Sequence, residues 1–285
     1  MKKLEESDLQ IGDILIFENQ DFDLIHFGKL LLEDKQKAAF YLLLYMIPWF
    51  DPGDDPKNYK NIYHAAIWGN VNIHRGENRS IENLNRIVQA GSHGISQASL
   101  DSTLKGPGVK NIYVYRFEDR DANFESKLNK QIRNFYDDVS IPYSYETAWL
   151  LAVICSMRYS DGAIYKMLKD KIGAWGADLM IGIIQDMINQ YNDEHQKEMV
   201  ACSTLVAMIY KDALYPLIIK DVVKDQPMHI PIDFDGIAEK LVIDESKDKS
   251  LPKIKIHETV VTPRQLFESK SVKVVGYLPF KGSTL

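Results

Sequence analysis

The chain has 285 residues, 45% of them hydrophobic and 26% charged, with a net charge of −6 at pH 7. That balance belongs to an ordinary soluble globular protein, long enough to bury a substantial core. With Lys and Arg spread along the chain there is no basic field for nucleic acid, so no nucleic-acid partner is expected.

The N-terminus opens with Lys2 and Lys3, then turns acidic at Glu5 and Glu6 without an apolar run behind it. No signal peptide is read there, and cytoplasmic residence is the expectation, with an already removed leader as the alternative. The first element is a short β-rich run, Ile11 to Phe17, entered through a Gly12-Asp13 turn. From Phe22 to Trp49 the pattern is helical and is ended by Pro48 and the cluster Asp51-Pro52-Gly53-Asp54-Asp55-Pro56. This segment, within 20–60, reads as an insertion between strands. Its apolar part, Ala38 to Phe50, is too short to span a bilayer and reads as a packed helix, or as a wall over a cleft.

Strands are predicted over Tyr63–Trp68, Arg86–Ala90 and Asn111–Arg116, with Gly-, Asn- and Ser-rich loops between them. A helix is predicted over 123–138, where Phe124, Leu128, Ile132 and Phe135 recur at helical spacing. Further helices are predicted over 146–158 and 162–191; Gly173, Gly176 and Gly182 interrupt the second. The segment 157–195 is read as another insertion. A helix containing Cys202 runs to about Ala213, and a last strand covers Val272–Leu278. Strands in a block with helices on either side make the fold class α+β, in a single domain over 1–285.

Two cysteines in a chain of this length are too few for a disulfide framework, and they lack the C-x-x-C spacing of zinc or dithiol sites. Free thiols are the default, with a Cys155–Cys202 bridge as the alternative. Cys155 lies in the apolar helical run Leu151 to Cys155 and reads as buried and inert. Cys202 has Leu205, Val206 and Ile209 on its helix face. On that pattern alone it reads first as a core cysteine. A strand histidine, His64, stands far upstream, and Cys and His in separate elements are the minimum parts of a thiolate nucleophile and its base.

The ordered motifs resemble the permuted branch of the NlpC-type papain-like superfamily, the YiiX-like group, and more distantly the lecithin–retinol acyltransferase branch. Gly12-Asp13-Ile14-Leu15 is similar to the opening strand, His64-Ala65-Ala66-Ile67 to the histidine strand, and Ile87-Val88-Gln89-Ala90 to the next. Pro142-Tyr143, Cys202-Ser203-Thr204-Leu205-Val206 and Thr262-Pro263-Arg264-Gln265-Leu266 follow in the family's order. The resemblance implies a circularly permuted papain-like fold, with a small antiparallel, barrel-like sheet packed on the nucleophile helix. It also implies a cysteine hydrolase (an amidase or peptidase) acting on cell-wall peptides or related small peptides. Thiol acyl transfer or lipid deacylation is the first alternative, and a binding module without turnover is the second.

Under this resemblance Cys202 is the nucleophile and His64 the general base. Gln89 stands where many relatives carry Glu, and its amide oxygen is expected to orient the imidazole. His74 and His93 compete for that role, although both fall in loop-like sequence. Tyr143 and Tyr145 are the oxyanion or substrate-side candidates. His26, His195, His229 and His257 have no metal-ligand spacing, so neither a metal nor a cofactor is implied. The implied partner is a small peptide or acyl substrate; oligomeric state is left open.

Overall fold

The computed structural model describes residues 1–51, 60–75, 80–91, 94–106, 108–137, 161–194, 202–221, 226–229 and 261–282. Six strands form one antiparallel sheet: β1 Ile14–Asn19, β2 Ile62–Arg75, β3 Ser80–Gly91, β4 Gly94–Ala98, β5 Val109–Phe117 and, last in the chain, β8 Val272–Pro279. They lie in the order β4-β3-β2-β1-β5-β8, and a separate hairpin joins β6 Ile218–Asp221 to β7 Gln226–His229. The outer strands β4 and β8 do not pair with each other. The helices are α1 Leu24–Glu33, α2 Lys35–Phe50, α3 Leu100–Leu104, α4 Phe124–Asp137, α5 Asp161–Glu194, α6 Cys202–Asp212 and α7 Pro263–Phe267. The fold is α+β.

β1 is central because both of its faces are apolar. Ile14 and Ile16 face one layer, Leu15 and Phe17 the other, and all six of its residues are buried. On the first face lie α4, α6 and α7, through Phe124, Leu128, Ile132, Leu205, Val206, Ile209 and Leu266. On the second lie α3 and the N-terminal Leu4, packed against Trp68, Ile87 and Ile112. Each fully buried aliphatic or aromatic side chain here contributes about 1.5–3 kcal/mol. Two glycines let α4 approach the sheet. A Cβ on Gly12, whose φ is +88°, would collide with the Leu128 side chain, and one on Gly69 would meet Ile132 at 2.7 Å.

Several elements differ from the sequence expectation, each for a physical reason. β2 and β3 run on well past Trp68 and Arg86 as a long hairpin, with Asn70 opposite Asn85 and Asn72 opposite Asn83. Those positions read as loop because their residues are polar, whereas the ladder is made by the backbone. β4 lies in the stretch read as a loop after β3. The 22–49 helix is two helices that break at Asp34, whose backbone is extended (φ −156°) and whose carboxylate accepts from Lys37 N–H. Pro48 lies inside α2, which runs on to Phe50, rather than at its end. The long helix α5 is interrupted at Gly173, which takes a non-helical φ of 77°. The helix expected over 146–158 lies outside the described residues.

The turn that starts β1 is fixed by a buried carboxylate. Asp13 is fully buried and accepts from Arg116 Nε (2.8 Å) and Nη2 (2.7 Å), from Arg120 Nη2 (3.1 Å) and from the Gln10 amide (2.8 Å). Beside it, the buried Tyr210 hydroxyl of α6 donates to the Gly12 carbonyl. The C-terminal half of the cysteine helix is thereby tied to the same turn. Asp13→Ala strands two guanidinium groups that keep some water contact. It is therefore expected to lower the unfolding free energy by about 2–4 kcal/mol, somewhat less than for a fully buried pair. Urea unfolding reads this directly, and a loss below about 0.5 kcal/mol would show that the turn does not depend on the carboxylate.

Candidate functional site

The site lies where the sheet parts. Trp68 makes both of its backbone bonds toward β1: its N–H donates to the Asp13 carbonyl (2.9 Å) and its carbonyl accepts from Gly12 N–H (2.8 Å). In an antiparallel strand successive residues turn their backbone groups to alternate neighbours. Ala66 therefore also faces β1, while Ile67 and Ala65 face β3. Ile67 meets Val88, which is the end of the β2–β3 ladder. Beyond Val88, β3 continues with β4 alone, Gln89 opposite Ser96 and Ala90 opposite Ile95. The backbone of Ala65 is left facing a fork between the two strands.

α6 packs against both strands at this fork, with Cys202 as its first residue. The first N–H groups of a helix have no intrahelical partner and carry its positive end, which favours an anion there. Cys202 is 4% exposed and has no disulfide. Its thiol interacts with the His64 ring, the Ala65 amide and the Ser203 hydroxyl. Burial works against the thiolate, but the His64 charge and hydrogen bond, with the Ala65 amide, outweigh it. The Cys202 thiol is held below its ordinary value.

His64 is half-buried on β2, opposite Phe17, whose ring it meets edge-on at 4.9 Å. Its Nε2 lies 2.8 Å from the Gln89 side-chain oxygen. An amide oxygen only accepts, so Nε2 carries a proton in this bond. The other ring nitrogen, Nδ1, is left for the thiol. Burial pushes the His64 pKa down. The Cys202 charge and the hydrogen bonds to Cys202 and Gln89 outweigh burial and raise it. Opposite shifts on a contacting thiol and imidazole are the electrostatic signature of a thiolate–imidazolium pair.

The N-terminal end of α6 is also held from the other side. Ser203 donates through its hydroxyl to the Val261 carbonyl, and the Val261 amide donates to Thr204 Oγ1 at 3.2 Å. Two consecutive side chains thus clamp one backbone unit of the segment that leads into α7. Thr262 caps α7 by accepting from Gln265 N–H at 3.1 Å.

Cys202, His64 and Gln89 are thus brought together. His74 is not part of the group: it lies on β2 ten residues beyond His64, opposite Ile81, which is about 30 Å away at the rise of a strand. His93, Tyr143, Tyr145, Cys155, His195 and His257 lie outside the described residues. His26 is exposed on α1, against Tyr41. Among the described residues no cluster of three or more His, Cys, Asp or Glu is placed to hold a metal, and no helix is long and apolar enough to cross a membrane.

Two groups at the site escape a reading of the sequence. One is the Ala65 amide, a backbone group that no residue type announces. The other is Tyr63, one of 15 tyrosines. β1 pairs Phe17 with His64 but Glu18 with Ile62, so Tyr63 is the extra residue of a β-bulge. Strict alternation would send Tyr63 and His64 to opposite faces, yet both rings lie edge-on to Phe17, Tyr63 at 6.3 Å. Burial, and then the Cys202 charge, push the Tyr63 phenol far above its usual pKa, so it stays protonated.

Comparison with protein-family models, with curated proteins and with solved structures returns no match.

The role of Gln89 is open to direct measurement. Gln89→Ala leaves the ring free to turn and is expected to slow iodoacetamide alkylation of Cys202 at pH about 6 by about 10-fold, less than His64→Ala. Gln89→Glu puts a charge on Nε2–H and is expected to raise the imidazolium pKa further. Equal alkylation rates in wild type and Gln89→Ala would mean that the hydrogen bond orients nothing.

Proposed function

We propose that this chain is a cysteine-dependent hydrolase of amides, on a circularly permuted NlpC-type papain-like fold. The observation that carries the reading is the buried Cys202 thiol in contact with His64, whose far nitrogen is hydrogen-bonded to Gln89. The order of six motifs along the chain supports it independently.

The chemistry follows from the two shifted groups. The Cys202 thiolate attacks the amide carbonyl carbon, and a C–S bond forms as the carbonyl electron pair moves to oxygen. When that intermediate collapses the C–N bond breaks, and the imidazolium of His64 gives its proton to the departing amine. Water then attacks the thioester, His64 takes the water's proton, and a carboxylic acid leaves with the thiolate restored. Gln89 takes part as an acceptor that fixes the ring through both steps.

Peptidoglycan stem peptides or related small peptides are the proposed substrates. Acyl transfer or lipid deacylation would be the better reading if a second histidine had taken the place of Gln89 and Gln89 had turned outward. Gln89 instead faces the ring, and His74 is far along the hairpin, so amide hydrolysis is favoured.

Acid-quenched mass spectrometry of the intact protein, mixed with stem peptides or with a medium-chain p-nitrophenyl ester, reads the chemistry. A peptidyl mass on Cys202 is expected; a fatty-acyl mass alone would make the chain an acyl-lipid enzyme. Cys202→Ala is expected to abolish turnover, and Cys202→Ser to lose at least about 10³-fold, since a hydroxyl ionises far less readily. Turnover should follow a bell-shaped pH profile. Its acid limb should lie below the ordinary thiol range because Cys202 is lowered, and its alkaline limb above ordinary imidazole because His64 is raised. Adduct formation on Cys155 in place of Cys202, or slow alkylation with no adduct at all, would remove the hydrolase reading.

A further inference from the structure

The hydrolysis step above leaves one charge without a named partner, the oxyanion that forms as the thiolate adds to the carbonyl. In a buried site such a charge needs fixed donors aimed at it. Cys202, as the first residue of α6, offers its own backbone N–H. A second donor can come from β2, which lines the fork against which α6 packs.

The geometry points to Tyr63 as that donor: a catalytic phenol that hydrogen-bonds the oxyanion of the tetrahedral intermediate opposite the Cys202 amide. This inference rests on the cysteine-hydrolase reading and deepens it. The β-bulge is what makes the placement available. The register passes from Phe17–His64 to Glu18–Ile62, so Tyr63 has no partner of its own on β1. Its ring leans with His64 over Phe17, and the two rings lie 6.1 Å apart. The two consecutive side chains therefore share a face, where a regular strand would place the phenol on the far side of the sheet.

Three further features suit Tyr63 to the role. Its ring is half-buried against the cluster around Phe17 and Trp68, so the phenol is held rather than free to swing. Among the described residues its hydroxyl makes no hydrogen bond, so no bond to one of them must break when the oxyanion appears. The phenol also remains protonated beside the thiolate, and so keeps a hydrogen to donate. No proton is transferred in the step. The carbonyl pair moves to oxygen as the C–S bond forms, Tyr63 O–H donates a hydrogen bond to that oxygen, and the bond relaxes when the carbonyl re-forms and the amine leaves.

Two reactions of the same thiol separate this role from a structural one. Acylation by p-nitrophenyl acetate passes through a tetrahedral oxyanion; alkylation by iodoacetamide is a direct displacement and does not. Tyr63→Phe keeps the ring and removes only the hydroxyl. It is expected to slow p-nitrophenyl acetate acylation by about 10²–10³-fold, while iodoacetamide alkylation at the same pH stays within about twofold of wild type. If Y63F does not fold, 3-fluorotyrosine placed at position 63 serves instead. It is nearly isosteric and a stronger donor, so acylation should rise about two- to threefold with alkylation unchanged. Acylation at the wild-type rate in folded Y63F, or an equal fall in both reactions, would overturn the assignment and leave the hydrolase reading standing. Acylation that persists in Cys202→Ala would instead sink the nucleophile itself.

Discussion

Beyond the Ile67–Val88 pair the sheet divides, and the Ala65 amide, aimed at a strand that is no longer there, meets a thiol instead. Nearly everything else at the site follows from this parting of β2 and β3. It opens a gap wide enough for the start of α6, which elsewhere packs through Leu205, Val206 and Ile209 on one face of the sheet. It also leaves Gln89, on β3, within 2.8 Å of His64, on β2, although the two strands have ceased to pair there. A sheet closed to its end would satisfy the Ala65 amide and leave no room for the cysteine.

A thiol in such a place is under two opposing pressures. Burial alone raises its pKa, as it does for any acid moved out of water. Against that stand an imidazole able to take the proton and the Ala65 amide able to bond the sulfur. Transfer of the proton creates two charges together, so the pair stays neutral while each charge keeps a partner. The geometry must be held tightly for this to hold, and α6 is anchored at both ends. Ser203 and Thr204 grip Val261 at one end, and Tyr210 reaches the Gly12 carbonyl beside the Asp13–Arg116–Arg120 group at the other.

Much of this was legible in the residues, though unevenly. Ile14 to Phe17 alternate as a buried strand must, and Phe124, Leu128 and Ile132 recur as a packed helix must; burial itself writes those patterns. The outer half of the β2–β3 hairpin buries little, so Asn70, Asn72, Asn83 and Asn85 hide a regular ladder. The proximity of Cys202, His64 and Gln89 came from the order of motifs and not from any spacing, because the three side chains stand on separate elements. Tyr63 was illegible for a different reason. A period of two assigns it to the wrong face, and only the register slip opposite Phe17 and Glu18 corrects that. Tyr143 and Tyr145, the tyrosines at the Pro142-Tyr143 motif, fall outside the described residues.

If His64 holds the buried Cys202 as a thiolate, the ultraviolet absorbance of that thiolate shows it most directly. The wild-type spectrum minus that of Cys202→Ala, followed across pH, reports ionisation of this one group. The thiolate signal is expected to persist well below the ordinary thiol value of about 8.5. In His64→Ala, where burial is no longer opposed by the imidazolium, the transition is expected to move to or above that value. A wild-type transition at or above about 8.5, unmoved by His64→Ala, would contradict the ion pair and the nucleophile with it.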